Sequence, residues 1–365
     1  MYKDKLIDLN YIRLYIKILC SFELKSKQLK KRGINADLWK RKFINLLKSK
    51  DVRCEELLSE FLTCQMKKIS HHNIRRKNKY APILFCVIRN DIYKIKVFME
   101  HYRQLGVEAF IFLDNNSGDG TKEFLCRQED VILYTSDQQY SSARRVAWIN
   151  RLLAIYGQDR WCLVVDSDEL VTYVDCEKHK ISDMVRKAVQ NNYYRVEGFM
   201  MDMYSKENLF KGNYDDNYVC NFKWFDTLSY NLNVEKNEVV ITGGPRKRVF
   251  QIEMLLSKYP LFYYRDDDFV ASAHYMIPVE PIRKCPIWIA LCHYKFMNDS
   301  DLLKIKEAVH NENYAGGSIF YKQYLSTVEE NSEINFYEEG NSCEMKRSDC
   351  LKNISFLRAP FADKK

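Results

Sequence analysis

The chain has 365 residues, 46% of them hydrophobic and only 12 Gly and 7 Pro, a composition that excludes a disordered polymer and can bury a substantial core. Its net charge is +8, and residues 1–80 hold 21 Lys and Arg against 8 Asp and Glu, so the excess basicity is N-terminal. No run of about 18 apolar residues and no signal-peptide core occurs, so we expect a cytoplasmic protein. The twelve dispersed cysteines form no C-x-x-C pair and are expected to be reduced.

Residues 1–79 are predicted to form a basic helical N-terminal region. Apolar residues recur at helical spacing in 6–19 and again in 39–47, and Gly33 separates the two sets. A third amphipathic stretch, 54–69, leads into the basic segment SHHNIRRKNKY. Such charge is compatible with peripheral contact with an anionic membrane at its inner face or with nucleic-acid binding, and a solvated helical face explains the pattern equally well. Of the two partners, the membrane is expected rather than a nucleic acid.

Residues 80–327 alternate short apolar strands with amphipathic helices, which predicts an α/β fold with helices on both faces of a parallel or mixed sheet. The predicted strands are ILFCVI, VEAFIFLD, VILYTS and RWCLVVD, and the helices between them are IYKIKVFMEHYRQLG, TKEFLCRQ and SSARRVAWINRLLAIYG. This order is that of a doubly wound half-domain. Residues 328–365 are predicted to be a polar, loosely ordered C-terminal tail.

Polar side chains follow the predicted strands at their carboxyl ends. Asn90 and Asp91 follow the first strand, Asp114 ends the second, and Asp166 and Asp168 end the fourth. Ligands of doubly wound sheets bind beyond these strand ends. Two aspartates one residue apart on a strand point to the same side, so they can share a Mn²⁺ or Mg²⁺ ion that bridges a nucleotide diphosphate.

The segments IRNDIYKIKVFMEHYRQLGVEAFIFLDNNSGDGT and YGQDRWCLVVDSDELVTY resemble family 2 glycosyltransferases of the GT-A fold. A bacterial subgroup of this family is similar over residues 81–327: SSARRVAW precedes the Asp-x-Asp-Glu motif, and MDMY, KWFD, GGPRKRVF, SKYPLFYYR, SAHY and LCHYKF follow in order. The resemblance implies a GT-A-type, Rossmann-like mixed sheet. It also implies inverting transfer of a sugar from a nucleotide diphosphate, by default UDP, to a saccharide or lipid-linked acceptor in surface polysaccharide or glycoconjugate synthesis.

The resemblance implies donor-binding roles for several residues. Asp114 would hold the uracil or ribose, beside Asn90 and Asp91 at the neighbouring strand end. Asp91 stands where the family more often has Glu. Arg145, and with it Arg144, would face the nucleotide from the long helix, with exposed helical arginines as the alternative.

A metal site is implied around the Asp-x-Asp motif, with Asp166 and Asp168 binding Mn²⁺ or Mg²⁺ directly or through water. His293 and Lys295 share a strand face in LCHYKF, and an imidazole can complete a metal shell or bind phosphate. The resemblance places a late histidine in the donor site, which favours His293 over His274. Lys295 would then contact the donor.

Glu169 completes the Asp-x-Asp-Glu pattern and is a candidate for catalysis or for orienting the loop. Arg246, after the Gly-Gly-Pro turn, is a candidate for binding the diphosphate or the acceptor. An inverting transferase needs a carboxylate base, for which Asp226 is the first candidate. Further candidates for the base are Asp202, Glu235 and the run Asp266–Asp268.

Two other functions are compatible with parts of this sequence. A haloacid-dehalogenase-like phosphatase would use Asp166 as its nucleophile, but its motif normally follows the first strand and has Thr or Val where this chain has Leu170. A non-catalytic binding protein would act through the basic N-terminal helices. Intact carboxylates in the Asp-x-Asp motif argue modestly against that second alternative.

Overall fold

The structure is a computed structural model that describes residues 9–70, 72–73, 78–212, 218–235, 238–278, 285–314 and 318–362, with the backbone alone at residues 235 and 238. The first eight residues, much of the basic segment SHHNIRRKNKY and the side chain of the candidate base Glu235 lie outside this description.

Helices and strands alternate along most of the described chain. The helices are α1 (Leu9–Lys31), α2 (Ala36–Lys48), α3 (Cys54–Thr63), α4 (Ile92–Gln104), α5 (Thr121–Cys126), α6 (Ser142–Tyr156), α7 (Ile181–Gln190), α8 (Tyr218–Asn221), α9 (Gly244–Phe250), α10 (Asp299–Asn311), α11 (Ile319–Glu330) and a 3-10 helix (Ser348–Asn353). The strands are β1 (Lys67–Lys68), β2 (Ile83–Ile88), β3 (Ala109–Asp114), β4 (Val131–Thr135), β5 (Arg160–Val164), β6 (Glu169–Thr172), β7 (Arg195–Asp202), β8 (Trp224–Asp226), β9 (Tyr230–Glu235), β10 (Glu238–Gly243), β11 (Ser257–Tyr264), β12 (Phe269–Val270), β13 (Met276–Ile277), β14 (Ile289–His293) and β15 (Ser342–Glu344).

A nine-stranded mixed sheet organises the molecule, in the order β1-β4-β3-β2-β5-β11-β7-β14-β6. The four strands β4, β3, β2 and β5 are parallel, so the predicted doubly wound half-domain is confirmed. Beyond β5 the directions mix, because β11 runs antiparallel to both neighbours and β14 runs parallel to β7. The chain leaves β5 and reaches the far edge of the sheet as β6, so the connection between these strands spans the middle of the carboxyl edge.

Helices cover both faces of the sheet, as the apolar strands predict. Leu84 and Phe112 belong to a core built with α4 and α7, whereas Phe85 and Ile111 belong to a core built with α6 and the N-terminal helices. Successive strand residues therefore serve opposite faces, and both faces are buried. The α/β fold class with a Rossmann-like mixed sheet is confirmed.

The N-terminal helices are part of the core on one face of the sheet. The predicted break at Gly33 is confirmed, because it lies between α1 and α2. Trp39 and Phe61 stack with ring centroids 4.3 Å apart, and the Phe43 ring meets Phe269 of β12 at 5.2 Å. These four aromatic side chains join α2 and α3 to the sheet domain.

Polar contacts reinforce that attachment. Arg144 of α6 donates to both carboxylate oxygens of Glu60, at 2.8 and 2.9 Å, so it holds α3 rather than facing a nucleotide. The buried Lys42 ammonium donates to the backbone carbonyl of Arg265 at 3.0 Å. The predicted third helix ends at Thr63, and the chain then forms β1, which pairs with the edge strand β4.

One side of α1 packs on the core while the other is exposed. Ile18, Phe22 and Leu29 are buried, whereas Leu9 and Leu24 are exposed. Within the described residues, no helix combines the length and the apolar character needed to cross a membrane.

The C-terminal tail is folded, contrary to the expectation of a loosely ordered segment. Strand β15 pairs antiparallel with β8. Leu351, Ile354 and Leu357 are buried in the main core. The apolar residues of this segment follow neither a helical nor a strand period, so the polar residues before them dominated the prediction.

Replacing Trp39 with Ala should lower the free energy of unfolding of the whole chain by about 3–5 kcal/mol, since it removes a fully buried aromatic side chain from the joint between helices and sheet. Urea unfolding followed by fluorescence and circular dichroism should show one earlier transition. Val52→Ala is the control, because Val52 is 97% exposed. Two separate transitions, with only the first shifted, would show that the N-terminal helices are an independent unit.

Candidate functional site

The Asp-x-Asp segment forms the turn between β5 and β6. Strand β5 ends at Val164 and β6 begins at Glu169, so Asp166 and Asp168 do not alternate along a strand as predicted. The turn is closed by the Glu169 N–H, which donates to the Asp166 carbonyl at 3.1 Å. The Tyr294 N–H donates to the Asp168 carbonyl at 2.8 Å. The two carboxylates consequently face different partners.

Asp91 anchors this turn from the neighbouring strand end. Its side chain is buried, accepts a short hydrogen bond from the Ser167 hydroxyl and forms an ion pair with Lys304 of α10. Asp91 was predicted to line the donor site. Its contacts with Ser167 and Lys304 instead hold the turn and α10 together.

Strand register brings His293 next to Asp202. His293 ends β14, where it is paired in parallel with Asp202 of β7 and antiparallel with Glu169 of β6. The His293 Nδ1 lies 2.7 Å from an Asp202 carboxylate oxygen, and its Nε2 lies 3.5 Å from an Asp168 carboxylate oxygen. Asp202 in turn accepts from the Arg246 guanidinium at 2.6 Å. Four ionisable side chains thus form a row from the core to the sheet edge.

The charges in this row stabilise one another. Burial alone would lower the pKa of His293, but Asp168 and Asp202 outweigh it and raise the pKa above its usual value. Burial likewise opposes ionisation of Asp168, but His293 and then Lys295 hold the pKa of this carboxyl well below its usual range. Asp168 and His293 therefore lie together. The prediction that Lys295 shares a strand face with His293 was wrong, because β14 ends at His293.

Asp166 is surrounded by cations. The Arg145 Nε donates to its carboxylate at 2.9 Å, and the Lys258 ammonium lies 3.5 Å away. Burial opposes ionisation, but Arg145 and Lys258 lower the pKa of Asp166 to about 2. Lys258 also forms a buried ion pair with Glu169, whose side chain is 1% exposed. Glu169 is thus placed to orient the turn, the structural alternative allowed by the sequence.

Asp114 has a buried carboxylate oxygen without a partner. The side chain is fully buried at the end of β3, and one oxygen accepts from the Ser117 N–H at 3.0 Å while the other makes no hydrogen bond. Burial raises its pKa. Asn90 adopts a left-handed backbone (φ 52°), and its side chain accepts from the Gly118 N–H, which ties the two strand ends together.

Arg246 and Asp226 are buried in the core and do not face the region where the nucleotide sugar was predicted to bind. The predicted Gly-Gly-Pro turn starts helix α9 and directs Arg246, 2% exposed, into the core towards Asp202. Asp226 is fully buried and accepts from Arg248, from the Tyr204 hydroxyl at 2.5 Å and from a serine hydroxyl. A general base needs an accessible oxygen, so these contacts favour a structural role for Asp226.

The other histidine and the acidic run bind other parts of the chain than the Asp-x-Asp turn. The His274 Nδ1 lies 3.1 Å from the Ser257 carbonyl. Burial, with the nearby Lys258, lowers the pKa of His274 to about 3, so this ring is neutral. Asp266 and Asp267 are exposed, whereas Asp268 is buried in an ion pair with Arg195 at 2.7 Å.

A group of tyrosines beside the carboxylates was not predicted. The Tyr140 and Tyr314 rings lie 5.2 Å apart, and the Tyr314 and Tyr321 rings 4.5 Å apart. The Lys295 ammonium lies 2.9 Å from the Tyr321 hydroxyl. Burial and then the neighbouring tyrosines raise the pKa of Tyr314 and Tyr321, with a smaller contribution from the Asp168 charge. These tyrosines come from distant parts of the sequence, so no local motif predicted that they would lie together.

The described residues at the turn do not form a metal site with three protein ligands. Among the residues that the structure describes, no group of three or more His, Cys, Asp or Glu side chains is arranged to hold a metal ion. Asp168 and His293 remain as a pair with a 3.5 Å separation, whereas Asp166 is occupied by Arg145 and Lys258. Direct metal binding by Asp166 stays a prediction.

Comparisons with known proteins add little to this description. No protein-family model and no curated protein matches the chain. One similar solved structure is a Bacillus anthracis protein assigned as a glucose-1-phosphate thymidylyltransferase, in complex with a sucrose. It shares 8% identity, and the match covers 77% of this chain and 99% of that chain with a TM-score of 0.29. A likeness at this score carries no functional argument.

Replacing Lys258 with Met should lower the free energy of unfolding by about 3–5 kcal/mol, because it leaves the Glu169 carboxylate buried without its cation. Adding Glu169→Gln should restore part of that loss, since the buried charge is then gone. Chemical denaturation of wild type, both single variants and the double variant gives the coupling energy. Strictly additive losses would show that the ion pair does not hold Glu169.

Proposed function

We propose that the chain is a metal-dependent glycosyltransferase that takes a sugar from a nucleotide diphosphate, UDP by default. The observation that carries this proposal is the row Asp168, His293 and Asp202 at the carboxyl edge of the sheet, where doubly wound folds bind nucleotides. The motif resemblance over residues 81–327 supports it independently. A saccharide or lipid-linked acceptor and inversion follow from that resemblance.

The Asp168–His293 pair fits a divalent cation. Ligand atoms lie about 2.1 Å from Mg²⁺, so two adjacent ligands of an octahedral ion are about 3 Å apart, close to the 3.5 Å between these atoms. Metal-bound histidines usually donate their other N–H to a carboxylate, the position that Asp202 holds. Mg²⁺ and Mn²⁺ commonly take only one or two protein ligands and complete their shell with phosphates and water.

The donor nucleotide would lie between this pair and the neighbouring strand ends. Asp114 offers an unpartnered carboxylate oxygen, suited to accept from a ribose hydroxyl or a uracil N–H. Arg145 is fixed by Asp166 while its Nη1 has no hydrogen-bond partner, so this atom is free to donate to a phosphate. Lys295 adds a second positive charge near Asp168.

Each residue then has a defined task in sugar transfer. When bound, the metal ion neutralises charge that grows on the departing diphosphate. Asp202 fixes the His293 ring and leaves Nε2 directed towards Asp168. Arg145 and Lys295 supply preorganised positive charge to the leaving group, which favours the transition state over the bound donor.

Release of free nucleotide from a panel of nucleotide sugars should require Mn²⁺ or Mg²⁺ and should fall by about 100-fold or more in Asp168→Asn and in His293→Ala, because each removes a ligand. Asp267→Asn is the matched control, since Asp267 is an exposed aspartate away from the turn. Thermal unfolding of each variant separates lost chemistry from lost fold.

The same assay distinguishes the alternatives. Phosphate release from simple monoesters that depends on Asp166 would instead indicate a phosphatase. A well-folded protein with no activity towards either substrate class would favour a non-catalytic binding protein, and would count against the glycosyltransferase.

A further inference from the structure

A cleft of about 1000 Å³ lies between the N-terminal helices and the sheet. Its walls are the C-terminal part of α1, the segment that follows α3 and residues 134–137 at the carboxyl end of β4. The residues of the row from Arg246 to Asp168 are not among those that line it. This volume is typical of a small-molecule site, and it is distinct from the proposed metal pair.

The cleft is positively charged. Four cationic residues line it, namely Lys25, Arg32, Lys67 and Arg151, against one acidic residue, Asp137. Charges of one sign along low-dielectric walls concentrate the potential within the cleft. An anionic ligand is therefore favoured over a neutral or cationic one.

Arg151 is the most unusual of these cations because it is 2% exposed. Its Nε donates to the Phe61 carbonyl at 2.8 Å, and its guanidinium lies over the Phe61 ring with 4.7 Å to the centroid. One terminal nitrogen, Nη2, is buried without a hydrogen-bond partner. The side chain is thus held in one orientation, while its Nη2 group has no hydrogen-bond acceptor.

The described residues provide no anion to neutralise Arg151. None of their carboxylates forms an ion pair with it. The nearby Cys64 cannot serve, because burial raises the pKa of its thiol and keeps it neutral. Arginine stays protonated in proteins, and a buried unpaired charge is costly. Among the described residues, the other buried arginines, Arg145, Arg195 and Arg246, each have a carboxylate partner.

We propose that this cleft binds a phosphoryl group, with the Arg151 guanidinium as the buried donor and Arg32 and Lys67 at its rim. The planar guanidinium fork matches two phosphate oxygens, and the three cations together suit a doubly charged group better than a single carboxylate. The apolar side chains of Ile34 and Met66 also line the cleft, so the ligand can carry an apolar part. Phosphate esters and phospholipid headgroups share this chemistry.

Calorimetric titration with pyrophosphate, in the presence of EDTA to exclude the proposed metal site, tests the cleft. Arg151→Met should weaken binding by about tenfold or more relative to the wild-type protein. Met retains much of the apolar contact with Phe61. Arg32→Ala is the second variant, because Arg32 is exposed and its loss should not disturb folding. It should weaken binding several-fold.

Lys27→Ala is the matched control, since Lys27 is an exposed cation on α1 outside the cleft. The same proteins are then mixed with vesicles of phosphatidylcholine containing phosphatidic acid. Vesicle binding that pyrophosphate displaces and Arg151→Met abolishes identifies a lipid headgroup as the source, and pyrophosphate binding alone identifies a free phosphate ester. The proposal is overturned if the wild-type protein binds neither pyrophosphate nor the vesicles, each tested up to a phosphate-group concentration of about 10 mM. It is also overturned if Lys27→Ala weakens binding as much as the cleft variants do.

Discussion

The site depends on the requirement that buried charges be paired. The carboxylates of Asp202 and Asp168 alternate with Arg246 and the His293 imidazole from the core to the sheet edge. Arg246, Asp202 and His293 are almost wholly buried. Removing any inner member would leave a neighbour charged in a low-dielectric surrounding, which costs several kcal/mol. The register of β7, β14 and β6 must therefore be kept for the row to exist. Arg151 is an exception to this requirement, because no carboxylate of the described residues pairs with it.

A second constraint is that both faces of the sheet must be covered. The N-terminal helices meet it on one face, with Arg144 bound to Glu60 and the ring of Trp39 stacked on Phe61. The basic residues apparent in the composition thus belong to helices whose apolar sides are part of the core. Attachment of this region also creates the cleft that Arg151 lines.

Features with a local period could be predicted from the sequence. Strand β2, helix α6 and the break at Gly33 follow from apolar spacing, and the polar strand ends follow from them. The pairing of His293 with Asp202 could not be predicted, because these residues are 91 positions apart and meet only through parallel strand pairing. The prediction that Asp166 and Asp168 share a strand face was wrong, since an apolar run does not reveal that its strand ends at Val164.

The central claim is that Asp168 and His293 jointly hold a divalent cation at the donor site. It is tested most directly by the anomalous scattering of manganese in crystals of the wild-type protein grown with Mn²⁺ and UDP. We expect a single strong peak about 2.2 Å from both an Asp168 carboxylate oxygen and the His293 Nε2, with diphosphate oxygens completing the metal shell. A diphosphate bound at the strand ends with no manganese between these two side chains would contradict it.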